Sequence, residues 1–291
     1  MRIDLHTHSA TSDGTDTPTG LVLAAVAAGL DVIALTDHDT FDGIPEAQEA
    51  GRRAGLEVLG GIEMSCEHDG RPVHLLGYGC DRAASPLLDE LVRLRAGRAG
   101  RLQAMVDRLA ALGLHLSVEE VLAKAGVSPS VGRPHVADVL VDKGYVADRA
   151  EAFRDYLADG RPGFVPRYST PLGRGIDLIH RAHGVAVIAH PWGRGNREVM
   201  TAPYLESLVR VHGLEGIEVD HQDHDPETRS LLFAMGGRLG LIRTGSSAGS
   251  PRPLSRSSAT RACPAAAANI AASHTASGSS GRSRAASSAR A

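Results

Sequence analysis

Residues 31–39 read DVIALTDHD, Asp31 to Asp39. The apolar, β-branched run predicts a buried strand over Asp31–Thr36. At its C-terminal end it breaks into Asp37-His38-Asp39, three ionisable side chains in a row. In α/β folds that end of a strand is where reactive groups collect, because the loops there converge on one face of the sheet.

Working outward, the same pattern repeats. Met1–His6 reads as a short strand, and Thr17-Pro18-Thr19 offers a helix start ahead of Leu21–Gly29. Ile44–Ala54 reads as a helix stopped by Gly55, followed by strands over Glu57–Ser65 and Val73–Gly77. This βαβα rhythm predicts a parallel sheet or barrel. From Ser85 to about Gly160 the periodicity is helical, with shorter helices over Val118–Leu122, His135–Val141 and Ala150–Leu157. The α/β rhythm then returns: helix Leu172–His183, strand Gly184–His190, strand Gly216–Val219, helix Pro226–Gly236 and strand Leu239–Thr244. The organisation expected is a discontinuous barrel, 1–82 and 166–247, interrupted by a helical lid over 83–165.

Ionisable residues mark the other strand exits. His6-Thr7-His8 places two imidazoles on one face of a strand. Asp13 follows in a Ser-Asp-Gly turn, as a cap or as a ligand folding back. Glu63 ends Gly-Gly-Ile-Glu, His190 ends GVAVIAH, and Glu218 and Asp220 end GIEVD. His74 is a lone polar residue in an apolar strand, a pattern that suits a packed core histidine as well as a ligand. A barrel would bring these exits together, and mixed imidazole and carboxylate donors suit Zn, Mn or Fe. His68, His115, His180, His183, His212 and His274 match no such position and read as surface or packing residues; His221 and His224 lie just past a strand exit, within reach of a substrate.

Composition narrows the class. The tail from residue 245 carries six arginines and no acid, so residues 1–244 hold a net −9 within a total of −3. That balance disfavours stable duplex nucleic-acid binding by a basic surface. Three cysteines form no disulfide framework, no apolar leader precedes the first strand, and no apolar run is long enough to span a membrane. These features predict a cytoplasmic protein.

The succession LHTHSATSDG, TDHD, GIE, HLLGYG and AHP resembles the PHP (polymerase and histidinol phosphatase) family from residue 3 to about 247. The resemblance implies a distorted TIM-like (β/α)7 barrel with an inserted helical subdomain. It implies two or three divalent metal ions, manganese first and zinc or iron as alternatives, held by His6, His8, Asp13, His38, Glu63, His74 and His190. Asp13, His38 and His190 would serve catalysis, and Asp37 would orient a ligand histidine. Gly132-Arg133-Pro134-His135 is similar to the substrate segment of the small nucleotide-phosphatase branch, so Arg133 and His135 would hold the phosphate.

The implied activity is hydrolysis of a nucleotide phosphate monoester by a metal-activated hydroxide. Nucleoside 3',5'-bisphosphates, 5'-monophosphates and short 5'-phosphorylated oligonucleotides are the expected substrates, with a histidinol-phosphate-type phosphatase as the rival. One departure opens a further alternative. PHP phosphatases close on Gly-Ser-Asp-x-His, whereas this chain reads Gly245-Ser246-Ser247-Ala248-Gly249 and continues into an Ala/Ser/Arg tail over 248–291. The tail is too poor in apolar residues to fold and is expected to be disordered or frameshifted. A catalytically impaired metal-binding remnant is therefore the third reading.

Overall fold

A computed structural model describes residues 1–126, 128 and 131–245. The tail expected over 248–291 and the positions of the absent Asp-x-His lie outside the described residues.

The first half follows the expected rhythm. Strand β1 (Ile3–Thr7) leads to α1 (Pro18–Ala27), β2 (Val32–Leu35), α2 (Ile44–Ala54), β3 (Glu57–His68) and β4 (Arg71–Tyr78). Local chemistry sets the boundaries. Thr17 caps α1 by accepting from the Gly20 amide at 3.0 Å, and Pro18 fills its first position. Gly55, at φ +72°, lets the chain leave α2 in the left-handed region.

β1, β2 and β3 are parallel, with Val32 opposite Glu57 and Leu35 opposite Gly60. β4 departs from the expected all-parallel sheet. It runs antiparallel to both β3 and β6 (Val185–Ile188). The cause is the two-residue turn Asp69-Gly70, both at positive φ, which folds β3 and β4 into a hairpin with His68 opposite Arg71. Beyond it, β6, β7 (Gly216–Asp220) and β8 (Ile242–Gly245) are parallel again. The strand order is β1-β2-β3-β4-β6-β7-β8, with β5 (Thr170–Pro171) paired to β3. β8 comes alongside β1, so the sheet curls into a nearly closed barrel. Within the curl, the Tyr78 hydroxyl donates to the Leu5 carbonyl at 2.7 Å.

Both faces of the sheet are covered. Ile3, Leu5, Val32, Ala34, Leu76 and Val187 form one buried cluster. Ile33, Leu35, Ile62 and Met64 belong to another, shared with α1, α2, α7 (Leu172–Arg181), α8 (Ala202–His212) and α9 (Pro226–Arg238). Strands buried on both faces read as unbroken apolar runs, which is why DVIAL was legible. Helix α8 was not expected from the sequence, although Thr201 caps it and Gly213 ends it.

Between β4 and β5 the chain is helical: α3 (Ser85–Ala111), α4 (Val118–Ala125), α5 (Arg133–Asp142) and α6 (Arg149–Ala152). The helix expected over Ala150–Leu157 is a short α6 continued by a π-turn at Phe153–Leu157. These helices carry a hydrophobic cluster of their own, including Leu102, Leu109, Val121, Val136, Leu140 and Leu157. Ser128 ties this layer to the barrel, its hydroxyl donating to the Ser12 carbonyl at 2.8 Å. Among the described residues no helix is long and apolar enough to cross a membrane.

Candidate metal centre

The strand exits converge on one carboxylate. Glu63, buried at the mouth of the barrel, offers Oε2 to three imidazoles: His6 Nε2 at 3.2 Å, His8 Nε2 at 3.1 Å and His38 Nδ1 at 3.1 Å. Its Oε1 faces two more, His74 Nδ1 at 2.6 Å and His190 Nε2 at 3.2 Å. Asp13 lies on the far side, 3.6 Å from His8 Nδ1 and 3.6 Å from His38 Nε2. All seven residues named as ligands thus meet in one cluster, and His74 is part of it and not an isolated packing residue. Asp13 gets there because Gly14 lets its loop fold back. A Cβ at position 14 would collide with the backbone of His8.

Asp37 contacts the loop between β1 and α1. Its carboxylate accepts from the Ser9 amide at 2.7 Å, the Ser9 hydroxyl at 2.7 Å and the Ser12 hydroxyl at 2.6 Å. No histidine ring is among these partners. Asp37 instead shapes the turn that carries Asp13, and reaches His8 through Ser12, 3.4 Å from His8 Nδ1.

A residue the sequence marked without a role completes the cluster. Glu218 lies behind His6, with Oε1 3.1 Å from His6 Nδ1, and accepts the His190 backbone N–H at 2.8 Å. His221 is buried beside it, its ring centroid 4.7 Å from that of His190.

The electrostatics follow from crowding. Burial opposes charge on Glu63, but His38, His74 and His6 outweigh it and hold its carboxyl well below the usual range. Burial likewise opposes charge on Glu218 and Asp13, and neighbouring imidazoles depress both. Burial would lower His6, yet Glu63 and Glu218 raise it well above normal. Burial prevails at His38, pushed down to about 4, and at His74. The cluster therefore offers anionic carboxylates and, at His38 and His74, neutral rings, while the carboxylates favour a proton on His6 and His8 that a metal ion would have to displace.

The donors fit divalent cations. His6 Nε2, His8 Nε2 and Glu63 Oε2 form a triangle with edges of 3.1, 3.1 and 3.2 Å. Metal–ligand bonds of ~2.1 Å put neighbouring ligand atoms about 3.0–3.4 Å apart. Two ring nitrogens facing each other at 3.1 Å make no sense as a pair of lone pairs unless a proton or cation lies between them. Among the described residues His38 Nδ1 is buried without a hydrogen-bond partner: Glu63 Oε2 is close enough, but off the direction a ring N–H requires. Among the described residues four groups, His6/His8/Glu63, His8/Asp13/His38, His38/Glu63/His74 and His6/Glu218/His221, each gather three donors within 4.8 Å.

Next to His38, arginines gather on Asp39 and Ser65. Arg98 donates to Asp39 Oδ2 at 2.9 Å and to the Ser65 hydroxyl at 2.8 Å; Arg167 donates to the same hydroxyl at 2.6 Å. Arg101 is buried, with Nη1 on the Val165 carbonyl at 3.3 Å and Nε without a partner among the described residues. Burial, then repulsion from Arg167, Arg133 and Arg98, pushes Arg101 down to about 8. Arg133 bonds the Leu157 carbonyl at 3.0 Å and Asp159 at 2.9 Å, over the rings of Phe153 and Phe164. His135 accepts the Gly132 amide through Nδ1 at 3.1 Å, which leaves the proton of the neutral ring on Nε2; Asp13 is the foremost charge acting on it after burial.

Three of the histidines read as surface or packing residues make local contacts: His180 with Glu215 at 2.9 Å, His212 with Asp177 at 2.9 Å, and His68 stacked on Tyr204.

A profile of the PHP domain matches residues 4–117. The chain is 36% identical over 248 residues to a 3',5'-nucleoside bisphosphate phosphatase of Chromobacterium violaceum, covering 84% of this chain and 86% of that one. The chain belongs to the PHP family. A 5'-3' exoribonuclease of Haemophilus influenzae is 35% identical over 234 residues, 79% of this chain and 83% of its own. Among solved structures, a Bifidobacterium adolescentis protein assigned as a metal-dependent phosphoesterase superposes with a TM-score of 0.85 at 31% identity, covering 93% of this chain and 96% of that one. This PHP chain is a metal-dependent phosphoesterase, and its sheet is the distorted barrel its relatives share.

Proposed function

We propose that the chain hydrolyses a phosphate monoester on a nucleotide, with nucleoside 3',5'-bisphosphates first and 5'-monophosphates or short 5'-phosphorylated oligonucleotides after them. The observation that carries this reading is the cluster around Glu63 with the buried Arg98 held on Asp39, the residue after His38, and Arg101, Arg133 and Arg167 near enough to repel one another. Buried guanidiniums that repel one another have their charge matched when a polyanion enters. Names of relatives support it from outside, a bisphosphate phosphatase and an exoribonuclease.

His6, His8, Asp13, His38, Glu63, His74 and His190 would hold two or three divalent ions, Mn²⁺ first. Such ions supply a water of lowered pKa and neutralise charge on phosphoryl oxygens. The chain's own groups do the rest. Glu63 holds five imidazoles at fixed spacing, and Glu218 fixes the His6 ring. Asp13, His38 and His190 line the reacting position. Arg133 and His135 receive the phosphate from the lid side, and Arg98, Arg101 and Arg167 stabilise its remaining charge. The buried free thiols Cys66 and Cys80 suit a reducing, cytoplasmic setting.

The test is phosphate release from adenosine 3',5'-bisphosphate with Mn²⁺, for this chain beside His8→Ala. Release that His8→Ala abolishes supports the reading. Mn²⁺ uptake without release from any of the three substrate types would overturn it in favour of the impaired remnant that the missing Asp-x-His suggests.

A further inference from the structure

Asp39 follows His38 directly, is fully buried, and has φ +54°. That left-handed backbone is uncommon for a residue with a side chain. The reason lies in the parallel ladder between the end of β2 and β3. The Glu63 amide donates to the Asp37 carbonyl at 3.2 Å, and the Asp39 amide donates to the Glu63 carbonyl at 3.1 Å. These two bonds bracket His38 opposite Glu63. The next rung of such a ladder would run from the Ser65 amide to the Asp39 carbonyl. It does not. The Ser65 amide donates to Asp39 Oδ1 at 2.7 Å, and the Ser65 hydroxyl to Oδ2 at 2.8 Å.

The carboxylate has taken the rung that the carbonyl vacated. The carbonyl, turned out by the positive φ, accepts from Arg95 Nη1 at 2.6 Å. The same carboxylate accepts from Arg98 Nε at 2.9 Å. Arg95 and Arg98 both lie on α3, one turn apart. One residue thus extends the sheet past His38 and binds the lid helix through backbone and side chain together.

We propose that Asp39 is a positioning residue that locks α3 to the strand ends presenting His38 and Glu63, so that the lid and the metal cluster move as one body. The proposal rests on those two residues being metal ligands. It assigns Asp39 no contact with substrate. Its effect runs through the spacing of His38 and Glu63.

Asparagine separates the two tasks. Asp39→Asn keeps an oxygen for the Ser65 amide but loses the charge that holds Arg98. Arg98→Gln removes the same link from the lid side and leaves the ladder intact. The experiment is Mn²⁺ titration calorimetry on the full chain, with nitrogen-15 spectra of the histidine rings recorded on metal-free protein. Both variants should bind Mn²⁺ about tenfold more weakly and shift the His38 ring signals, with those of His180 and His212 in place. Wild-type affinity or unmoved His38 signals in either folded variant would overturn the proposal. If Asp39→Asn fails to fold, Arg98→Gln decides alone. If the wild-type chain takes up no Mn²⁺, the ring signals decide. Normal Mn²⁺ binding by the wild type without phosphate release would defeat the phosphoesterase reading and leave this one standing.

Discussion

Glu218 Oε1 lies 3.1 Å from Nδ1 of His6, while the opposite nitrogen of that ring faces Glu63 Oε2 at 3.2 Å. The ring is gripped on both sides, and the carboxylate behind it fixes which nitrogen carries the proton. Such partners raise the basicity of a ligand imidazole and set its orientation, and their loss typically lowers metal affinity or activity 10–100-fold. Glu218→Gln keeps the shape and an acceptor for the His190 amide. We expect Mn²⁺ affinity to fall by about that factor with little change in melting temperature. A Glu218→Gln chain that titrates like the wild type would show that the carboxylate only fills space.

The buried pair Asp39–Arg98 gives a pH signature. Burial alone would raise the Asp39 carboxyl, but Arg98 and then Arg167 outweigh it and hold it at about 2, against 3.8 unperturbed. A carboxyl depressed on folding stabilises the native state fully above its unfolded value and loses that contribution as pH falls through the folded one. The window is therefore about pH 4 to 2, and the contribution is about 2 kcal/mol. Urea midpoints of metal-free protein across that range should fall less steeply for Asp39→Asn than for the wild type, from a lower starting stability. Parallel slopes would mean that the carboxyl titrates alike in both states.

Arg101 is a buried cation surrounded by like charges, and its Nε has no partner among the described residues. Replacing a poorly paired buried charge by an apolar side chain of similar length is often neutral or stabilising, by about 1 kcal/mol or more. Arg101→Met should thus melt at the same or a higher temperature. If the guanidinium serves the substrate's charge, KM for a bisphosphate should rise about 10–100-fold, the worth of one charge-assisted hydrogen bond, and KM for a monophosphate less. Equal effects on the two substrates would place Arg101 outside the second phosphate's reach.

Much of this site was legible because a buried strand announces its own end. DVIAL gives way to TDHD, and GVAVIA to His190, so the exits could be marked before any fold was known. Direction and pairing were not legible in the same way. Periodicity does not say which way a strand runs, and the local signal for the antiparallel β4 is confined to the two residues Asp69-Gly70. Helix α8 hid between Thr201 and Gly213, whose capping chemistry was there to read. The partners of each ionisable group were the least accessible. Glu218 sits 212 residues from His6, and nothing near either says that they meet. Asp37 and Asp39 flank the same histidine, yet one shapes a loop and the other extends the sheet. That difference arises from a single positive φ at Asp39.

The absent Asp-x-His gives the last prediction. Residues 245–249 read Gly-Ser-Ser-Ala-Gly, and substituting Ser247→Asp with Gly249→His would restore the family's closing pattern in place. β8 delivers Gly245 beside Asp220 at the end of β7, next to the strand that carries Glu218. We expect a carboxylate and an imidazole restored there to add to the donors gathered at Glu63, where the carboxylates of Asp13, Glu63 and Glu218 face the imidazoles of His6, His8, His38, His74 and His190. Each added ligand raises occupancy of the weakest metal position, since affinity grows with deprotonated donors. The double substitution should increase metal bound per chain, measured by elemental analysis after dialysis, and raise kcat for phosphate release from a bisphosphate at least tenfold. If the metal content and kcat of the double variant match those of the wild type, the seven candidate ligands, Glu63 among them, already suffice and the closing motif is dispensable in this chain.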